Sequence, residues 1–186
     1  MADSPSDSLT RRRFLGASLL LAASPGLLRG SIEGRAWRVL TPAEAATLAI
    51  LADIIVPPDD DPGGAWAGVV VFIDRKLAGH YRGSQPLYRA GLAAIEASSR
   101  AQHRRALAQL TAAEREDLFA RLERSELPAE LWPANAPQAE FFARLVDHTL
   151  QGFFGAPRHG GNRDAVGWRM LGLSYPQVRS RRPESP

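Results

Sequence analysis

Four histidines, at positions 80, 103, 148 and 159, are the side chains best suited to move protons or bind metal near neutral pH. No two of them stand at the i, i+4 spacing that puts a ligand pair on one helix face, and no His-Glu-x-x-His run occurs. His148 follows Asp147, while His159 lies in a glycine-rich stretch with Arg163 and Asp164. That His148/His159/Asp164/Arg163 region is where an independent enzyme or a sugar-acid-binding module would find its groups. Two His and one Asp fall short of a usual zinc set. The chain has no cysteine, which excludes disulfides, thiolate metal sites, covalent c-type haem attachment and a cysteine nucleophile. It also lacks a Gly-x-Ser-x-Gly elbow, a Gly-x-Gly-x-x-Gly fingerprint and a phosphate-binding P-loop. Asp59-Asp60-Asp61 lacks the alternate spacing and distal Glu of a calcium loop and reads as a solvated acidic turn. No catalytic residue, metal ligand or cofactor is therefore expected in this chain.

What remains is Gly152–Gly172, which holds six glycines, three aromatics and three arginines in 21 residues. Gly160-Gly161 opens backbone angles closed to other residues. Asn162 is expected to cap a short helix, with Asp164 near its positive end. Glycines, arginines and aromatic faces together suit either an anion or a protein surface. Phe153, Phe154, Pro157, Arg158, Gly160, Gly161, Asn162 and Trp168 are the interface candidates, the aromatics as anchors. A Trp168 that simply closes the core is the competing possibility.

The elements that would position this stretch are helical. Thr41-Pro42-Ala43-Glu44 and Thr111-Ala112-Ala113-Glu114 are capping boxes. The first opens a helix to about Ile55, with Leu48, Leu51, Ala52 and Ile55 inward, ended by Pro57-Pro58. Trp66–Ala78 follows, with Val69, Val70, Phe72, Ile73 and Leu77 in the core and Asp74-Arg75-Lys76 on the wet side. Ser84 is expected to cap a long helix over 86–110, with Leu87, Leu92, Ile95, Ala101 and Leu107 inward and a basic face of Arg100, His103, Arg104 and Arg105. The segment 112–124 buries Leu118, Phe119 and Leu122. Gln138–Phe154 carries a broad apolar stripe of Phe141, Phe142, Leu145, Val146, Leu150 and Phe153. The expected fold is all-α, a single small domain of about five helices over residues 41–173. Residues 31–40 read as a linker and 174–186 as a basic disordered tail.

Charge is unevenly placed. The pI near 9.9 comes from the ends: residues 1–35 carry a net of +2 and residues 155–186 a net of +4, while the body between is −3. That distribution is a poor footprint for nucleic acid, and no nucleic-acid partner is expected. Residues 1–30 have the build of an export leader: Arg11, Arg12, Arg13, Phe14 and Leu15 precede an apolar run too short and too interrupted to span a bilayer. Arg11, Arg12, Phe14 and Leu15 resemble the twin-arginine export signal. Whether this leader is cleaved or kept as an anchor is left open by the lack of a clean Ala-x-Ala site. The twin-arginine route carries folded cargo, often loaded with a cofactor, yet no group here is suited to hold one.

The run from Gly155-Ala156-Pro157-Arg158-His159-Gly160-Gly161-Asn162 to Gly167-Trp168-Arg169-Met170-Leu171-Gly172 resembles the C-terminal signature of the gluconate 2-dehydrogenase subunit 3 family. Ala52-Asp53-Ile54-Ile55-Val56-Pro57, Pro62-Gly63-Gly64-Ala65 and Val69–Asp74 resemble a second segment of that family. Phe154 and His159 depart from it, standing where tyrosine is usual, and Gly63-Gly64 carries one extra glycine. The resemblance implies a small non-catalytic subunit of a periplasmic or membrane-associated flavoprotein dehydrogenase. Its implied partners are an FAD-carrying large subunit, the twin-arginine translocase and, in some complexes, a cytochrome subunit carrying haem c. The implied location is the periplasm, at the cytoplasmic membrane.

Overall fold

The computed structural model describes residues 35–173. The leader with Arg11, Arg12, Phe14 and Leu15, and the basic tail from residue 174, lie outside the described residues. Within them the chain forms helices α1 (Pro42–Ile55), α2 (Val69–Leu77), α3 (Gln85–His103), α4 (Ala112–Glu123), α5 (Gln138–Phe154) and α6 (Val166–Met170), joined by loops and short 3-10 turns. The all-α expectation holds, and no strand occurs among the described residues.

Both capping boxes form. The Thr41 hydroxyl accepts the Glu44 N–H at 3.2 Å while the Glu44 carboxylate accepts the Thr41 N–H at 2.7 Å, and Thr111 with Glu114 repeats the exchange at 3.3 and 2.8 Å. Each satisfies two helix-end donors that would otherwise lack partners. One apolar core joins α1 to α6, with Leu48, Ile73, Ile95, Leu118, Phe141 and Phe153 sealed from solvent. Each such side chain contributes about 1.5–3 kcal/mol by burial. Helix α2 packs along α5, α1 lies across α2 and α3, and α4 closes on α5.

Four expectations are corrected. Helix α3 ends at His103 rather than Leu110 because Arg104 turns left-handed at φ 57. The chain then folds back, held by the Ser99 hydroxyl donating to Arg105 O at 2.8 Å and by Arg115 donating to Leu107 O at 3.1 Å. Leu107 still reaches the core, from a 3-10 turn (Leu107–Gln109), while Ala101 is exposed. Ser84 has helical backbone and makes no side-chain cap; α3 is held at its start by Gln85, whose side-chain amide donates to Leu77 O at 2.8 Å. Trp66, Ala67 and Gly68 form a turn, and α2 begins only after Gly68 at φ 84.

The fourth correction is the largest. Asp74, expected on the wet side of α2, is only 3% exposed and accepts the backbone N–H groups of Arg38, Val39 and Leu40, each at 3.0 Å. The end of the presumed linker is therefore bolted to the domain. Asp59 and Asp60 are exposed and Asp61 is half-buried in a loop closed by the Asp59 carboxylate accepting Asp61 N–H at 2.9 Å.

Candidate functional site

The glycine-rich stretch begins where α5 ends. Two 3-10 turns, Pro157–His159 and Arg163–Ala165, carry the chain around to α6. Much of what looked available for a partner is used inside the chain. Phe153 and Asn162 are fully buried, and Gly161 is buried against the backbone of Gly152. A Cβ on Gly161 would lie 2.1 Å from Gly152 O, closer than any atom fits, so the two backbones touch there because Gly161 lacks a side chain, while the side chain missing at Gly152 leaves room for Phe72. Gly68 meets Gly160 O in the same way, which seats the loop on the first turn of α2.

Asn162 holds the loop closed. Its side-chain amide donates to Gly155 O at 2.8 Å and its carbonyl oxygen accepts the Gly167 N–H at 2.9 Å, a first-turn amide of α6. The expected capping therefore reaches past the 3-10 turn rather than into it. Asp164 is exposed, at φ 53, and its carbonyl accepts from Arg169. Trp168 is half-buried and its indole N–H donates to Phe154 O at 2.6 Å, covering the carbonyl end of α5. Phe154 is half-buried and meets Phe153 edge-on at 5.0 Å.

Pro157, Arg158 and His159 form the outer turn, with Arg158 exposed and the other two half-buried. Cations crowd around it. Lys76 lies 5.5 Å over Phe72 and 5.9 Å over Tyr81, and Arg75 lies against Gly160. Partial desolvation, Lys76 and Arg158 all push the His159 pKa below its ordinary value, so the ring is neutral at pH 7. Arg163 stacks its guanidinium 5.1 Å over Trp66. The outer face of the loop is thus a positively charged rim around half-buried aromatics.

The second candidate region does not converge. His148 is 2% exposed on α5, stacked on Tyr81 at 4.0 Å and hydrogen-bonded through Nδ1 to the Tyr88 hydroxyl at 3.0 Å. Burial lowers the His148 pKa and raises that of Tyr88, so both are neutral at pH 7. The histidine engages two tyrosines rather than His159 or Asp164. Among the described residues no group of three or more His, Asp or Glu side chains is placed to hold a metal.

One half-buried acid has no marker in the sequence. Asp53 on α1 accepts Ala65 N–H at 2.8 Å and lies under the Pro62-Gly63-Gly64 turn. Burial raises its pKa from 3.8 to about 6, against the opposing Ala65 hydrogen bond. A carboxyl whose folded pKa is raised contributes stability below the unfolded pKa and loses it as pH climbs through the folded one. Stability should therefore fall between pH 4 and pH 6 by about 2 kcal/mol from this group, after allowing for its partial exposure. Asp53→Asn keeps the acceptor and removes the charge. Urea unfolding across pH 4–8 should show the variant equal to wild type near pH 4 and more stable at pH 7.

The signature loop of this small helical domain is spent on backbone-to-backbone contacts, with a charged rim left outside. The family model described as Gluconate 2-dehydrogenase subunit 3 matches residues 42–174, well over half of the chain, and the chain belongs to that family. No curated protein and no solved structure gives a significant match. Membership makes the chain an accessory subunit type associated with a dehydrogenase.

Proposed function

We propose that this chain is the non-catalytic small subunit of a periplasmic or membrane-associated flavoprotein dehydrogenase. It binds a large subunit that carries FAD and supplies the twin-arginine signal on which that subunit is exported. The observation that carries this is the family match over residues 42–174. The leader motif at Arg11, Arg12, Phe14 and Leu15 supports the export role, and the absence of an assembled reactive set among the described residues is compatible with chemistry residing in the partner. In this reading the folded, flavin-loaded cargo of the twin-arginine route is the large subunit. A third subunit with haem c would take its electrons. Arg158, Pro157, Phe154 and Trp168 form the docking face, while Phe153, Gly160, Gly161 and Asn162 shape it from within.

The test is export of the partner. Replacing Arg11 and Arg12 by Lys should abolish periplasmic dehydrogenase activity, leaving the large subunit folded and flavin-bound in the cytoplasm, where it co-purifies with this chain. Normal export and activity of the large subunit in a strain lacking this chain would refute the proposal.

A further inference from the structure

The fold-back after α3 leaves a cleft that the docking role does not use. It has a volume of about 380 Å³ and is lined by Arg100, Arg104, Arg105, Ala106 and Gln109. Arg105 is partly spent: it pairs with Glu114 and donates to Gln109 O at 3.2 Å. Arg100 and Arg104 have no acidic partner among the described residues. Two exposed guanidinium groups without an acidic partner thus line one concavity.

The backbone sharpens the point. Arg104 stands at φ 57, ψ 23, closing α3 with its N–H bonded to Arg100 O at 2.9 Å. This is the position at which helices prefer glycine, because any Cβ there is strained. The sequence instead places a long cation, and Arg104 lines the cleft. The carbonyl end of α3 opposes an anion with about half a negative charge, less than the two positive charges left unpaired. Ala106 is the lone apolar residue of the lining.

We propose that this cleft binds a phosphate group through Arg100 and Arg104. A phosphate group offers several acceptor oxygens to guanidinium forks and, as a monoester or free ion, nearly balances both charges. The phosphate comes either from a free ion or from a lipid headgroup.

Calorimetric titration of the full chain with sodium phosphate, against sodium chloride at matched ionic strength, should show saturable binding at one site. Arg100→Gln and Arg104→Gly should each weaken it tenfold or more. Arg124→Gln, which removes a guanidinium paired with Glu126 elsewhere on the surface, should leave it unchanged. Arg104→Gly should also raise the thermal midpoint, an outcome opposite to that of an arginine kept for the fold. Binding to phosphatidylglycerol vesicles but not phosphatidylcholine vesicles, lost in the same two variants and without a response to free phosphate, would assign the group to a lipid. The proposal is overturned if neither probe binds, if Arg124→Gln is as defective as the cleft variants, or if Arg104→Gly binds normally or lowers the midpoint.

Discussion

Replacing Gly161 by alanine is expected to cost about 3 kcal/mol or more, the upper range for overpacking a filled interior. The added Cβ would sit 2.1 Å from Gly152 O and 2.8 Å from Gly152 C. Both are backbone atoms of a helix pinned between Phe72 and the core, so no side chain can swing away to make room. Relief requires the loop to lift from α5, which would also stretch the two Asn162 hydrogen bonds and unseat Gly160 from Gly68. The thermal midpoint should fall by roughly 10 °C for a domain of this size. Gly83 supplies the contrast, because nothing lies within 4 Å of a Cβ there. Gly83→Ala should stay within about 0.5 kcal/mol of wild type. If both variants unfold at the wild-type midpoint, the close approach between α5 and the loop does not exist in solution.

The close approach at Gly161 bears on what the signature stretch is for. Its glycines read equally well as an anion cradle or as a docking surface while only their spacing was visible. In the fold, Gly161 and Gly68 are consumed by contacts between backbones, which no composition argument reveals. A loop so tightly set can present Arg158 and the edge of Trp168 at a fixed place. Rigidity of that kind lowers the entropy a partner must overcome on binding.

Features whose partners lie nearby in sequence were legible. Thr41 with Glu44 and Thr111 with Glu114 are three residues apart, and both capping boxes form as the spacing dictates. The core face of α2 was legible too, since helical periodicity places Val69, Val70, Phe72, Ile73 and Leu77 together, and all are buried. Ile55, at the end of α1, is only half-buried because the chain leaves the core there for Pro57. Long-range polar pairing was not legible. Asp74 finds its partners 34 to 36 residues away, and His148 finds Tyr88 at a separation of 60. An acid followed by Arg75 and Lys76 looks like a solvated helix face until the preceding chain is seen to fold over it. The end of α3 was hidden for another reason: Arg104 adopts a conformation whose usual marker is glycine, so the sequence carries no stop signal.

Asp74→Ala should detach residues 38–40 from the domain ahead of α1. Three backbone donors, on Arg38, Val39 and Leu40, lose their acceptor at once. Leu40 is 6% exposed, so its N–H is left without water, whereas the Arg38 and Val39 donors are nearer the surface and recover part of their loss from solvent. The sum is about 3 kcal/mol, one unsatisfied buried donor plus the charge-assisted bonds of two others. Asp74→Asn should fall between, since one amide oxygen still accepts while its NH2 group faces donors. The effect should be local before it is global, because Thr41 caps α1 independently of the segment ahead of it. Limited trypsin digestion reads this directly. Cleavage after Arg38 should be slow in the wild type and at least tenfold faster in Asp74→Ala, at a temperature where cleavage within α1 to α5 is unchanged. Under the proposed export role the consequence is mechanical. A leader that must carry a partner needs a firm join to the domain that holds the partner, and Asp74 supplies that join from the helix that also seats the signature loop. Equal cleavage rates after Arg38 in both proteins would show that the segment is held by Trp37 and Leu40 packing alone.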